Sequence, residues 1–330
     1  MKTKNLYYTL IIMTFTGMMF SCKKSNSSSS TATTDTQLQT QSDDQTRVSN
    51  ESDDAFDDVN TAMTSQYAVT GSSTAPGLLR GTITDGGPQD TVKSLICDAV
   101  VTIDTTDNPH TMTIAYNGNN CNVTKTRKGS IVISWTAGMV WQAKGATVTV
   151  EFQNLAITRL SDNKTITLSG THTYTNVTGG SLLTLPNAPG DSIVHTVTSS
   201  NMAVTFDDGS QRTWNVARQR VYSYSGGYIV KTSGTHVDGS VTGISEWGEN
   251  RFGNTFTTVI IAPRVIEQSC SWQIVSGQME LTNAAGTTQL SFGLNASGAA
   301  TGCPVAGSTY YFELVWTGNG GKSYTFILPY

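Results

Sequence analysis

The chain has 330 residues, a formal net charge of −4, and only 13% charged side chains. So mild a charge leaves no footprint of nucleic-acid binding. A low charge content beside abundant Thr, Ser, Gly and Asn is the composition of a β-rich protein outside the cytoplasm, whose water-facing strand positions carry hydroxyls rather than Lys and Glu.

In chain order, Lys2 and Lys4 form a basic start, and Leu6 to Phe20 is an apolar run too short to span a bilayer as a mature helix. It ends at Met19, Phe20, Ser21 and Cys22. A small residue directly before a cysteine at this place resembles the lipobox of bacterial lipoproteins, with a loose match at Met19 and Phe20. The resemblance implies that residues 1–21 are a signal peptide and that Cys22 is lipidated and becomes residue one. The alternative is an ordinary secretory signal with a coincidental cysteine.

Residues 22–50 are Ser, Thr, Gln and Asp with almost no large apolar side chain. Such a stretch buries too little surface to offset its ordering entropy, so it is expected to be a disordered, lipid-attached tether. Lys23 and Lys24 stand where surface-exported Bacteroidota lipoproteins carry an acidic cluster. That departure favours an outer-membrane lipoprotein facing the periplasm over one on the cell surface.

The one convincing helix is Ser52 to Met63, within a lead-in of residues 51–70. Ser52 caps it, acids occupy its first turn, and Phe56, Val59 and Met63 share a face. It is expected to be short and appended to the fold.

Everything downstream reads as strands, among them Val148 to Phe152, Ile166 to Thr175, Met202 to Phe206 and Phe256 to Ile261. A pattern of cysteine, strand, turn, cysteine, strand occurs twice: Cys97 to Trp135, and Cys270 to Trp316. Aligned on the tryptophans, Ile133 matches Leu314, Ile131 matches Phe312, and Ile114 matches Phe292. Of five cysteines, four remain once Cys22 is set aside, and the repeat selects the pairs Cys97/Cys121 and Cys270/Cys303. The close Cys-x-x-Cys spacings of a structural zinc site are absent, so neither metal nor cofactor is implied.

Leu185 to Asp191 interrupts the strands and divides the chain into a first β unit (71–190) and a second (191–330). The fold class is all-β: an antiparallel sandwich-like or elongated twisted sheet, made of two related units, with one short N-terminal helix. No long crossover helices exist to support a parallel sheet.

Three segments carry a further resemblance: Arg127, Lys128, Gly129 and Ile131; the strand Val148 to Asn154; and Gly170, Thr171, Thr173, Thr175 and Asn176. In that order they resemble an uncharacterised family of Bacteroidota lipoproteins, over roughly Cys97 to Cys303. The resemblance implies no activity.

Candidate chemistry is sparse. Of four histidines, His110 lies near Asp107 in a loop of ordinary turn formers, His172 shares strand parity with Leu168 and Tyr174, and His195 and His236 each have one nearby aspartate. No nucleophile elbow is present, and every mature cysteine has a structural or lipid role. Glu246, Trp247, Glu249 and Arg251 crowd together as a carbohydrate site would need; the plainer reading is a turn with solvated carboxylates. Tyr222, Tyr224, Trp141 and Tyr228 extend a sugar-stacking alternative, unless Tyr222 and Tyr224 simply line the inner face of a strand.

The sequence thus reads as a lipid-anchored envelope protein of structural, adhesive or scaffold type, with no catalytic site evident. The alternative is a carbohydrate-binding or carbohydrate-processing lipoprotein with its site near residues 222–253. Expected partners are the membrane through the anchor, and glycans or other envelope proteins.

Overall fold

A computed structural model describes residues 29–65, 96–270, 272–303, 309–318 and 320–329. Cys22 and the segment read as a signal peptide lie outside the described residues. The described chain is one helix and fifteen antiparallel strands in a single sheet. Helix α1 is Ser29–Ser65. The strands are β1 (Ala99–Asp104), β2 (His110–Asn119), β3 (Lys125–Trp135), β4 (Ala146–Arg159) and β5 (Thr165–Asn176). Next come β6 (Ser192–Phe206), β7 (Gln211–Tyr224), β8 (Tyr228–Gly234), β9 (His236–Asp238) and β10 (Val241–Glu249). The last are β11 (Thr255–Glu267), β12 (Gln273–Asn283), β13 (Gly286–Leu294), β14 (Tyr311–Gly318) and β15 (Ser323–Pro329).

Period-two patterning produces the sheet. In β4, Ala146, Val148, Val150 and Phe152 are buried while Thr147, Thr149, Glu151 and Gln153 are exposed. The alternation then slips: beyond Phe152 the buried positions are Leu155 and Ile157. The slip is a bulge, with Asn154 at φ 50° and a register shift against β3 and β5. Matching irregularities follow on β5 between Ser169 and His172 and on β6 between Ser199 and Met202. Gly129 and Gly170 stand at this line with φ of 122° and 121°, and a Cβ on Gly129 would sit 2.5 Å from the Asn154 carbonyl oxygen. Bulges aligned across neighbouring strands bend a sheet sharply.

The bend wraps the sheet around α1. From Gln41 to Thr64, the helix leaves only the stripe Asp43, Thr46, Asn50, Glu51, Asp54, Asp57, Asp58, Thr61 and Thr64 partly or fully open; every other position is buried. The all-β fold with one N-terminal helix is as expected, but the helix is longer than Ser52 to Met63 and not an appendage: residues 29–50, expected in the disordered tether, are helical. The helix spans 37 residues, and its Val48, Ala55, Phe56, Val59, Ala62 and Met63 belong to the main core.

The Leu185–Asp191 segment is also not a boundary. Leu182–Asn187 is a short 3-10 helix between β5 and β6, two strands that pair with each other, and the main hydrophobic cluster continues across it. The two related units are the two ends of one sheet. Ile114 faces Ile131 and Met112 faces Ile133 at one end; Leu290 faces Leu314, and the Phe292 and Phe312 rings lie 6.0 Å apart, at the other. Both disulfides are formed, Cys97–Cys121 and Cys270–Cys303, with Cα atoms 5.2 and 5.0 Å apart. The first ties the start of β1 to the end of β2, and the second ties the start of β12 to the connection that follows β13.

The strand order has one irregular place. The first half of β7 pairs with β10 and its second half with β8; β11 divides its two halves between the same pair. β8 and β10 therefore share one slot and meet where Gly234 approaches Gly243 so closely that a Cβ would lie 2.0 Å from its carbonyl oxygen.

Candidate functional site

At that shared slot the inner face of the sheet is charged rather than apolar. Alternation along β7 turns Arg212, Trp214, Val216, Arg218, Arg220 and Tyr222 inward, and β10 and β11 add Glu246 and Arg264. Helix α1 supplies the complement. Glu246, fully buried, accepts hydrogen bonds from Gln45 Nε2 at 2.7 Å, Ser49 Oγ at 2.7 Å and Trp214 Nε1 at 2.9 Å. Arg212 lies 3.4 Å from it, and Arg218 pairs with its other oxygen. Asp53 accepts from Arg218 Nη1 at 2.7 Å and also pairs with Arg264.

The electrostatics follow from this enclosure. Burial alone would raise the Asp53 pKa, but Arg264, Arg218 and Arg220 together hold it down at about 2. Burial lowers Arg212 to about 9 and Arg218 to about 10, partner charges notwithstanding.

Ion pairs continue along the helix. Asp43 meets Arg159, Asp44 meets Arg251, Glu51 and Asp54 share Lys125, and Asp57 meets Arg220. Asp58 receives Arg127 Nη1 at 2.6 Å and the Tyr116 hydroxyl at 2.9 Å. Arg127 also grips Asp98, the neighbour of Cys97, through two hydrogen bonds of 2.7 and 2.6 Å. Arg47 runs the other way, donating to the carbonyls of Ile157 and Lys164 at 3.0 and 2.6 Å. These groups neutralise and orient one another. That is the chemistry of a docked helix: each carboxylate that leaves water does so against a donor, as burial of charge demands.

The residues singled out in the sequence fall elsewhere. Glu246 and Trp247 are consecutive on a strand rather than in a turn, so they occupy opposite faces, and Glu246 is not a solvated carboxylate. Trp247 stacks on His236 on the outer face, with ring centroids 4.0 Å apart at 15°, and Glu249 is exposed at the strand end. Tyr222 is core: its hydroxyl accepts from Asn60 Nδ2 at 3.3 Å. Tyr224 is partly exposed and meets Tyr228 edge-on at 5.3 Å. The structure therefore does not bring Glu246, Trp247 and Glu249 together.

Histidines 172 and 195 are buried among rings, His172 beside Phe152 and Trp214, and His195 beside Trp141, Tyr222 and Phe56. Burial, with Arg218 and Arg220 adding to it, pushes both down to about 3. His110 lies edge-on to Trp135 at 5.8 Å, at the start of β2 rather than in the preceding loop. Among the described residues, Glu267, Cys270 and Cys303 lie close enough for a metal, but both cysteines are spent in a disulfide. No helix among them is long and apolar enough to cross a membrane.

Sequence reasoning missed the arginine row of β7 and its helix partners. A signal was present: Arg212, Arg218 and Arg220 keep the parity of Trp214, Val216 and Tyr222, which places them on the inner face. No family model, curated protein or solved structure matches the chain.

Proposed function

We propose that the protein is a lipid-anchored component of the cell envelope, an outer-membrane lipoprotein facing the periplasm, with a structural, adhesive or scaffold role. The observation that carries this reading is the use of the buried charges. Glu246 and Asp53, the two buried carboxylates that face Arg218, are saturated by helix–sheet partners. They hold the molecule together and present nothing to a substrate. The signal segment, Cys22, the two hairpin staples and the resemblance to Bacteroidota lipoproteins support the same address.

Cell fractionation tests the anchor. Cys22→Ala is expected to move the protein out of the membrane fraction and to abolish labelling by a palmitate analogue. A variant that still pellets with membranes and still takes the label would sink the reading.

A further inference from the structure

The turn between β7 and β8 carries an aromatic group that the ion-pair account leaves unused. Tyr228 sits partly buried, its hydroxyl donating to the Leu182 carbonyl at 2.9 Å and its backbone N–H donating to Gln268 Oε1 at 3.0 Å. Tyr224 braces it edge-on at 5.3 Å. On its other flank lies Trp272, nearly parallel at 18° with centroids 6.2 Å apart, and 51% exposed.

Trp272 is unusual in its backbone as well. Its φ is 62°, in the left-handed region that a bulky side chain adopts only at a cost. The short 3-10 turn Gln268–Cys270, stapled by the Cys270–Cys303 disulfide, and the hydrogen bond from Trp272 N to the Glu267 carbonyl at 3.0 Å fix it there. A large apolar side chain held exposed against conformational preference adds nothing to the core. Elsewhere in the fold, residues at such φ are mostly glycine.

We propose that Trp272, supported by Tyr228 and Tyr224, is a stacking platform for a neutral oligosaccharide. A pyranose presents a flat apolar face of C–H groups, which an exposed indole supported from beneath receives well, and its equatorial hydroxyls need polar neighbours. Ser225, Gln268, Ser269 and Gln273 are exposed on the same and adjoining turns and carry no charge. Glu267 brings negative charge to this corner, which disfavours acidic glycans. The inference goes beyond the envelope role and does not depend on the anchor. It places sugar binding away from Glu246, Trp247 and Glu249.

The test is calorimetric and fluorescence titration of the detergent-solubilised full chain with hexasaccharides of glucose, mannose and N-acetylglucosamine. At least one is expected to bind with a Kd below about 1 mM. Trp272→Gly and Trp272→Asn, both at ease with positive φ, are expected to weaken that binding at least tenfold while Tm holds or rises. Three results would overturn the proposal: no response of the unmodified chain to any hexasaccharide, undiminished binding by both variants, or a loss of several degrees in Tm in both variants, which would make Trp272 a packing residue.

Discussion

The two ends of the sheet are built on one hairpin pattern yet held by different forces. From β1 to β11 the inner face closes on α1, and polar pairs reach from Tyr116 and Arg127 on one side to Arg264 on the other. At the other end β12 reaches the helix and its core through the Asn283–Gln41 hydrogen bond of 2.6 Å and through Leu281, while the rest of β12 to β14 packs in a separate small cluster of Ile274, Met279, Leu290, Phe292, Leu314 and Trp316. Edge strand β15 extends that cluster's face with Tyr324, Phe326 and Leu328, each about 40% exposed. The same cysteine-stapled unit therefore serves a charged interface at one end and a thin apolar layer at the other. What differs is whether a helix lies against it.

Acid separates the two regions most strongly. His172 and His195 lie in the helix-covered part, and their pKa values are depressed from 6.5 to about 3. A depressed pKa adds stability that is present above pH 6.5 and lost as pH falls toward 3, up to about 5 kcal/mol for each histidine. Asp53, held at about 2 against 3.8, loses its contribution only below pH 4. Burial raises Asp57 to about 6 and also raises Asp44, Glu51 and Asp58 despite their basic partners, so their protonation works in the opposite sense below about pH 6. From pH 7 to about pH 6 the histidines outweigh the carboxylates, so denaturant midpoints should fall across that window. The double variant His172→Phe, His195→Phe should flatten that slope, and an unchanged slope would contradict the assignment.

Much of this contrast was hidden in the sequence for a physical reason. Strand alternation was legible because most inward positions of β2 to β6 are apolar, and the disulfides were legible because the unit repeats. The helix was truncated because Gln41, Ser42, Gln45, Ser49 and Asp53 are polar, and a polar side chain reads as solvated until its partner is known. Those partners lie up to 242 positions away in the chain, as Asn283 does from Gln41. Glu246 failed for the same reason: its neighbours in sequence suggested a site, while its neighbours in space are clamps.

Arg218→Ala strikes the helix-covered region alone. It leaves Glu246 and Asp53 buried with a lost partner, a change that costs roughly 3–5 kcal/mol. Chemical denaturation should show that loss, and amide exchange should quicken in α1 more than in β13 and β14. Leu290→Ala makes the opposite cut. It should cost about 2–3 kcal/mol, less than a core leucine at its worst because the thin layer can relax, and should loosen β12 to β14 while α1 keeps its protection.

A helix rich in polar residues is locked inside the sheet by charge pairs. Hydrogen exchange across residues 41–64 of the unmodified protein at pH 7 tests it most directly. Protection there should approach that of β3 to β7 and persist at moderate salt, because enclosed pairs are weakly screened. Exchange at the rate of a free peptide would contradict the account outright.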